Sequence, residues 1–388
     1  KVHTIAYFAP LLAGILLVYI RKQYVAGFIV TALFMGLQIA ANHPQMTYYL
    51  FLALGFLFLS ELIRVIQKKT DWKHFGISSG ILAFALILGV GMNSQRIMAN
   101  SEYIKETVRG KQILDSEKNT IVKNGMDKES ILMWSYGKME TLNLFIPRLM
   151  GGASQEEGSE EIQSGVQALL QDNVQSQQEY DRIMKGFGGL TYWGEQPGTS
   201  GPAYQGAIVI FLAILGFFFA WKKYRYWILG ASILTIALAW GSNFMWLSDF
   251  FIEFVPFYNK FRAPSSILVV VELLFPLIAI VGLYRFFNDS ENSTETDFDQ
   301  KTTLAPSPLE RAGVRLTDDY KKKILIYVSS SVLGITLLLL FFGKSILGFH
   351  TNAEKTYFPP YLLDFLVDAR YKMFQADALK ALLFVGIT

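Results

Sequence analysis

The feature that most constrains this chain is its repeated return to apolar runs of bilayer length. A helix crosses the hydrocarbon core with about 20 predominantly apolar residues. Eight segments approach or exceed that length, near 4–20, 24–41, 47–66, 75–92, 204–221, 224–241, 264–287 and 324–343, and a ninth begins around 377. Backbone N–H and C=O groups inside lipid must bond to one another, so such runs fold as helices. With 52% hydrophobic and 15% aromatic residues in 388, the expected fold class is an all-α polytopic membrane protein: a helical transmembrane bundle with an extracytoplasmic loop domain.

Basic residues set the expected orientation, because short cytoplasmic loops are enriched in Lys and Arg. Arg21 and Lys22, then Arg64, Lys68, Lys69 and Lys73, then Lys222, Lys223 and Arg225, then Arg285, Arg311, Arg315 and Lys321 to Lys323 fall on alternate turns. Those turns are expected in the cytoplasm, with 42–46, 93–203, 242–263 and 344–377 outside. The organisation is therefore four transmembrane helices in 1–92 and an extracytoplasmic region in 93–203. Three helices follow in 204–287, with an interfacial helix at about 244–256. A polar cytoplasmic linker fills 288–323, and 324–388 holds one span, an outer loop and the start of another span. The chain opens at Lys1 without an initiator Met and stops inside the apolar run Ala381 to Thr388, the pattern expected of an internal fragment.

Composition also removes function classes. No cysteine occurs, which excludes disulfides, thiolate metal sites and thiol nucleophiles. The four histidines are scattered, without the spacing of a zinc motif; no cofactor is identified and nothing supports a divalent metal. A net charge of +3, with cations beside apolar runs rather than in an aromatic-studded patch, argues against nucleic acid as a partner. Membrane lipid is the expected one.

Four stretches carry candidate chemistry. In Asn42-His-Pro-Gln-Met-Thr-Tyr-Tyr49, Pro44 disfavours helix at His43, leaving His43 and Gln45 at the membrane surface as polar ligand groups; the plainer reading is a capped helical hairpin. In Trp134 to Gly152, Glu140 precedes a short apolar turn ended by Pro147 and Gly151-Gly152, so Glu140 and Arg148 are expected at headgroup depth, against a plain amphipathic surface helix. In Gly188 to Tyr204, Tyr192, Trp193 and Glu195 join aromatic faces to a carboxylate, a setting that suits sugar rings and also marks membrane interfaces. In Ser242 to Ser266, Leu247, Phe250, Phe251 and Phe254 recur at helical spacing, as in an interfacial helix. Pro256-Phe-Tyr-Asn-Lys-Phe-Arg-Ala-Pro264 then places Lys260 and Arg262 where cations meet lipid phosphate or simply snorkel. Glu272 stands apart inside a span, one turn before Pro276, where an acid costs about 2.5–3.5 kcal/mol. Shorter expectations are an amphipathic helix over 160–175, burying Ile162, Val166, Leu169, Leu170 and Val174, and a short helix from Ser101 to Arg109.

Taken together, Gly137-Lys-Met-Glu-Thr-Leu-Asn-Leu-Phe-Ile-Pro147 with Gly151-Gly152, Tyr192-Trp-Gly-Glu-Gln-Pro-Gly-Thr-Ser-Gly-Pro-Ala-Tyr204, Pro256 to Pro264 and His43-Pro-Gln-Met-Thr-Tyr-Tyr49 resemble the YfhO family of large bacterial membrane proteins. The resemblance covers nearly the whole chain. It implies a GT-C-like fold in the bacterial cytoplasmic membrane. It further implies a glycosyltransferase that takes a sugar from a polyprenyl-phosphate donor and adds it to a cell-envelope glycopolymer on the extracytoplasmic side. In such enzymes the principal catalytic acid lies in the first outer loop, which this chain is expected to begin after, so no catalytic residue is named here. The resemblance implies Arg262 and Lys260 for the donor phosphate, and His43, Gln45, Glu140, Tyr192, Trp193 and Glu195 for sugar or acceptor. The alternatives are a transporter or flippase of lipid-linked saccharide, for which Glu272 with Pro276 is the feature to watch, and a non-catalytic envelope scaffold.

Overall fold

The computed structural model describes residues 1–69, 71–110, 125–154, 156, 158–174, 176–186, 190–288 and 316–388. Among these every regular element is a helix. Most of the linker, 289–315, and Gly188 and Gly189 of the aromatic loop lie outside the described residues. Among the described residues five helices are long and apolar enough to cross a membrane: Val2–Tyr19, Pro44–Lys68, Trp72–Gly91, Pro264–Asn288 and Asp318–Leu347. Tyr24–Ala40 and Ala207–Phe219 are shorter apolar helices, and Lys222–Ala239 joins Gly241–Phe254 through a 115° bend. The chain is a multi-pass membrane protein of two compact units, Lys1–Leu132 with Leu215–Lys321, and Met133–Ile214 with Lys322–Thr388.

In the first unit, small residues let helices approach, as expected where lipid provides no hydrophobic drive and packing must hold the bundle. A Cβ on Gly27 would lie 2.8 Å from the Gly14 carbonyl oxygen, and one on Gly282 would lie 2.4 Å from the Gly216 Cα. Neither contact tolerates a larger residue without helix movement. Val2–Ala6 and Phe8–Tyr19 are separated at Tyr7, because Pro10 has no N–H to give the Ala6 carbonyl. At the other end of this hairpin, the His74 ring bonds the Tyr24 hydroxyl at 2.8 Å and the Tyr19 carbonyl at 2.9 Å. The short helix expected from Ser101 instead runs Ser94–Lys105. The linker gives way to helix at Asp318, before its expected end.

The second unit is built on one long helix, Pro360–Ile387. This overturns the expectation of an outer loop to 377 followed by a new span. The helix starts 17 residues earlier, at Pro360, and the buried charges inside it, Arg370 and Asp377, are neutralised by Glu354 and Arg148 rather than marking a loop. Arg370, 2% exposed, donates to both Glu354 carboxylate oxygens at 3.1 and 2.6 Å, and to the Leu190 and Phe349 carbonyls. Burial alone would raise the Glu354 carboxyl; the Arg370 guanidinium and the Thr351 hydrogen bonds outweigh it and hold that carboxyl below its ordinary value. Arg148 grips Asp377 with two bonds of 2.7 and 2.8 Å. The expected headgroup-facing Arg148 is therefore corrected: its guanidinium is committed to a carboxylate that is 4% exposed.

Against this helix pack Glu160–Asn173 and the segment around Met150. Ser159 caps Glu160–Asn173 at the Ile162 N–H, and Ile162, Val166 and Leu170 bury against Leu362 and Leu366. Leu169 and Val174 are only half-buried, so the apolar stripe is narrower than its sequence spacing implies. Ile146, Leu149, Met150, Phe349 and Phe374 form the second cluster. Because Arg370 closes three separate contacts, Arg370→Ala leaves Glu354 charged, half-buried and without its guanidinium, a defect of about 3 kcal/mol. Thermal unfolding in detergent checks this, and Arg370→Lys, with charge but no planar fork, is expected to fall between the two.

Candidate functional site

The structure sorts the candidate residues into two groups, one in each unit, and joins Glu272 to neither. In the second unit Glu140 sits in the 3-10 turn Met139–Leu144. It was expected at headgroup depth, yet it is 2% exposed. Its Oε2 accepts the Gly137 N–H at 3.0 Å, and its Oε1 accepts the Tyr192 hydroxyl at 3.0 Å and the Gln196 amide at 3.1 Å. The Tyr192 oxygen in turn accepts the Gln196 N–H at 3.0 Å. A buried carboxylate requires such donors, since each unmet lone pair is costly.

The backbone around this cluster is stitched by bonds between the 139–156 and 190–205 segments. Trp193 N–H donates to the Met150 carbonyl at 3.0 Å, Ser154 N–H to Thr199 at 2.9 Å and Gln205 N–H to Leu144 at 3.2 Å. Gly151, at φ +85°, is where a side chain would strike Thr191: a Cβ would come within 1.9 Å of its carbonyl oxygen. Only glycine permits this crossing. Glu195 closes the arrangement from the exposed side. A Cβ on Gly137 would stand 3.3 Å from both Glu140 Oε2 and Glu195 Cδ, so the two carboxylates flank one spot above the Gly137 backbone.

Electrostatics follow from that geometry. Burial pushes the Glu140 carboxyl above its ordinary value; the Glu195 charge adds to the rise, and the three donated hydrogen bonds oppose it. Burial, then the Glu140 charge, raises the Tyr192 phenol, so it remains a donor at neutral pH. Trp193 is corrected: it is 7% exposed and packs on Phe349 at 5.0 Å, unavailable for stacking on a sugar. Its neighbour Tyr192 instead reaches Glu140 with its hydroxyl. Gln196 and Tyr136, the latter 2% exposed and raised by burial and then by Glu140, were not singled out from sequence. Their signal was adjacency to Glu195 and to Gly137.

The first-unit group centres on Pro256 to Pro264. Phe257 and Ala263 have φ of 66° and 58°, a conformation that costs a non-glycine residue of order 1–3 kcal/mol. The turn is clamped by distant donors. Tyr48 hydroxyl reaches the Pro256 carbonyl at 3.0 Å, Gln45 the Arg262 carbonyl at 2.5 Å, and Met126 N–H the Asn259 carbonyl at 3.1 Å. Gln45, expected to face ligand, is 9% exposed and also donates to the Tyr49 hydroxyl; its amide N–H groups hold backbone and a neighbouring side chain. Lys260 donates to the Arg109 carbonyl at 2.6 Å, and burial lowers its pKa. Arg262 is exposed, and His43 is half-buried at the start of Pro44–Lys68, with its pKa lowered by burial and then by nearby positive charge. Glu272 is exposed in the first turn of Val269–Asn288. No group of three or more His, Asp or Glu among the described residues is placed to hold a metal ion.

No protein-family model matches this chain, no curated protein is a significant relative, and no solved structure matches it.

The Glu140 shift has a signed consequence. An acid whose folded pKa lies above its unfolded value of 4.5 gives full stability below 4.5, and that contribution is lost as pH rises through the folded pKa. Thermal stability of the wild type is therefore expected to drop as pH rises from about 4.5, and Glu195→Gln, by removing a like charge, to flatten the drop. A Tm difference between the two proteins that does not change with pH would remove Glu195 as a cause.

Proposed function

We propose that this protein is a membrane glycosyltransferase of the GT-C type, moving a sugar from a polyprenyl-phosphate donor to a cell-envelope glycopolymer outside the cytoplasmic membrane. The observation that carries the reading is the Glu140–Tyr192–Gln196 cluster with Glu195 exposed at its edge. A carboxylate beside a phenol and an amide is the donor–acceptor mixture that sugar hydroxyls bind. The resemblance of these same motifs to the YfhO family, and the multi-pass helical fold, support it.

In this reading Glu140 positions and Glu195 binds. Glu140 is buried and accepts three hydrogen bonds, and Glu195, exposed at the edge of the cluster, is the carboxylate assigned to a saccharide hydroxyl. Taken by itself, the clamped turn of the first unit is proposed to bind phosphate, with Arg262 presented to it, a geometry its planar fork suits, and Lys260 adding charge. In the transfer the acceptor hydroxyl oxygen bonds the anomeric carbon, the bond from that carbon to the phosphate oxygen breaks, and the hydroxyl proton passes to a carboxylate base.

Proteoliposomes with a labelled lipid-linked sugar test the assignment. Glu195→Gln is expected to raise the acceptor KM about tenfold or more, the worth of a hydrogen bond to a charged group, and Arg262→Ala to abolish donor turnover in a folded protein. Movement of the labelled lipid across the bilayer without glycosidic product would favour a transporter instead.

A further inference from the structure

We propose that the helix ends around Trp221, all in the first unit, form a binding site for a phosphate-bearing anion, held by Arg225 and Arg285 with Lys321 beside them. Sequence alone makes these cations markers of orientation; the structure ties two of them to one helix end. Arg225 Nη1 donates to the Phe217 and Phe218 carbonyls at 3.3 and 3.2 Å. Arg285 Nη1 donates to the next two, Phe219 and Ala220, at 3.1 and 3.4 Å. Lys321 reaches the Phe286 carbonyl at 2.7 Å, one residue beyond Arg285. Aromatic rings fill the same junction: Arg285 lies over Trp221 at 5.7 Å, Trp221 meets Tyr284 at 6.0 Å, and Phe219 meets Phe286 at 5.1 Å.

Positive charge is in excess at this junction among the described residues. The last carbonyls of Ala207–Phe219 carry about half a negative charge, against two full guanidinium charges. Lys222 and Lys223 add to the excess from the first turn of Lys222–Ala239, a position the helix dipole disfavours for cations, and no acid shares that turn. Residues 196–248 contain no Asp or Glu at all. Asp318 and Asp319, in the first turn of the helix that carries Lys321, are the acids on these helix ends among the described residues. Arg225 keeps a donor in reserve, since its Nη2 makes one long contact, 3.5 Å, to the Tyr226 hydroxyl.

The chemistry and the depth both point to phosphate. Guanidinium groups match phosphate oxygens in geometry as well as charge. The junction stands where one candidate span, Pro264–Asn288, ends and another, Asp318–Leu347, begins, the level of lipid headgroups, and basic pockets between helix ends there hold anionic headgroups. Tyr226, Tyr284 and Phe287 are exposed around it and offer apolar surface to the glycerol and acyl part of a lipid. Inorganic phosphate shares the anionic group without that part. The site does not depend on the proposed transferase activity.

The test uses the full chain in a neutral detergent, titrated separately with phosphatidylglycerol, with phosphatidylcholine, and with inorganic phosphate against chloride at equal ionic strength. The ligand-induced rise in Tm is read, together with lipid adducts retained in native mass spectrometry. Phosphatidylglycerol is expected to bind more tightly than phosphatidylcholine. Arg225→Gln and Arg285→Gln are each expected to weaken it about tenfold or more, the worth of a hydrogen bond to a charged group. Lys222→Gln alters an exposed side chain, keeps the fold, and is expected to weaken binding about fivefold. Lys68→Gln, an equal loss of charge at the end of Pro44–Lys68, is expected to leave it unchanged. A rise in Tm with inorganic phosphate that matches phosphatidylglycerol, and that shrinks in the same variants, would assign the site to a soluble phosphate. Equal binding of the two lipids with no response to phosphate would overturn the proposal. So would undiminished phosphatidylglycerol binding in Lys222→Gln and in whichever arginine variant folds.

Discussion

A peptide group removed from water has to find its partner within the protein. Inside a span the helix itself supplies that partner. Where the backbone leaves the helix, this chain supplies it with long side chains from elsewhere in the same unit. Tyr48 and Gln45 take the Pro256 and Arg262 carbonyls, Lys260 takes that of Arg109, and Arg370 takes those of Leu190 and Phe349. The strained φ values at Phe257 and Ala263 persist under that clamp. Without it, relaxation of two unfavourable residues would compete with the turn that carries Lys260 and Arg262.

The same constraint decides what could be read in advance. Apolar runs announce themselves because lipid selects one composition over some 20 residues, and Ile162, Val166 and Leu170 announce a helix because their stripe is local. Burial of a polar side chain is not local. Gln45 is fixed by a residue 217 positions away and Glu140 by Tyr192, 52 away; nothing near either residue in sequence signals it. The helix Pro360–Ile387 was hidden for a related reason. Arg370 and Asp377 interrupt its apolar pattern, and they are tolerated because Glu354 and Arg148 neutralise them.

Residue type alone also misplaced the roles within each group. Gln45 and Glu140 were expected to meet ligand, yet burial forces such groups to satisfy themselves on the protein. A carboxylate that already takes a main-chain N–H, a phenol and an amide offers a ligand little. Their exposed neighbours, Arg262 and Glu195, keep their side chains toward the surface. The buried residue fixes a backbone path, and the exposed residue at the end of that path is presented at the surface. Trp193 and Tyr192 divide in the same manner, one ring entering the core and the other reaching Glu140.

Glu140 is more than a staple, because its charge and that of Glu195 are coupled. Burial makes its ionised form costly, and the neighbouring carboxylate adds to that cost. Anything that offsets the negative charge of Glu195, whether hydrogen bonds from hydroxyl groups or a proton, lowers the penalty on ionising Glu140. An ionised Glu140 in turn binds Tyr192, Gln196 and the Gly137 N–H more strongly, since a charged acceptor roughly doubles a hydrogen bond. Occupancy at the exposed carboxylate thus tightens the loop that presents it, and the coupling is reciprocal: conditions that tighten the loop favour occupancy to the same extent.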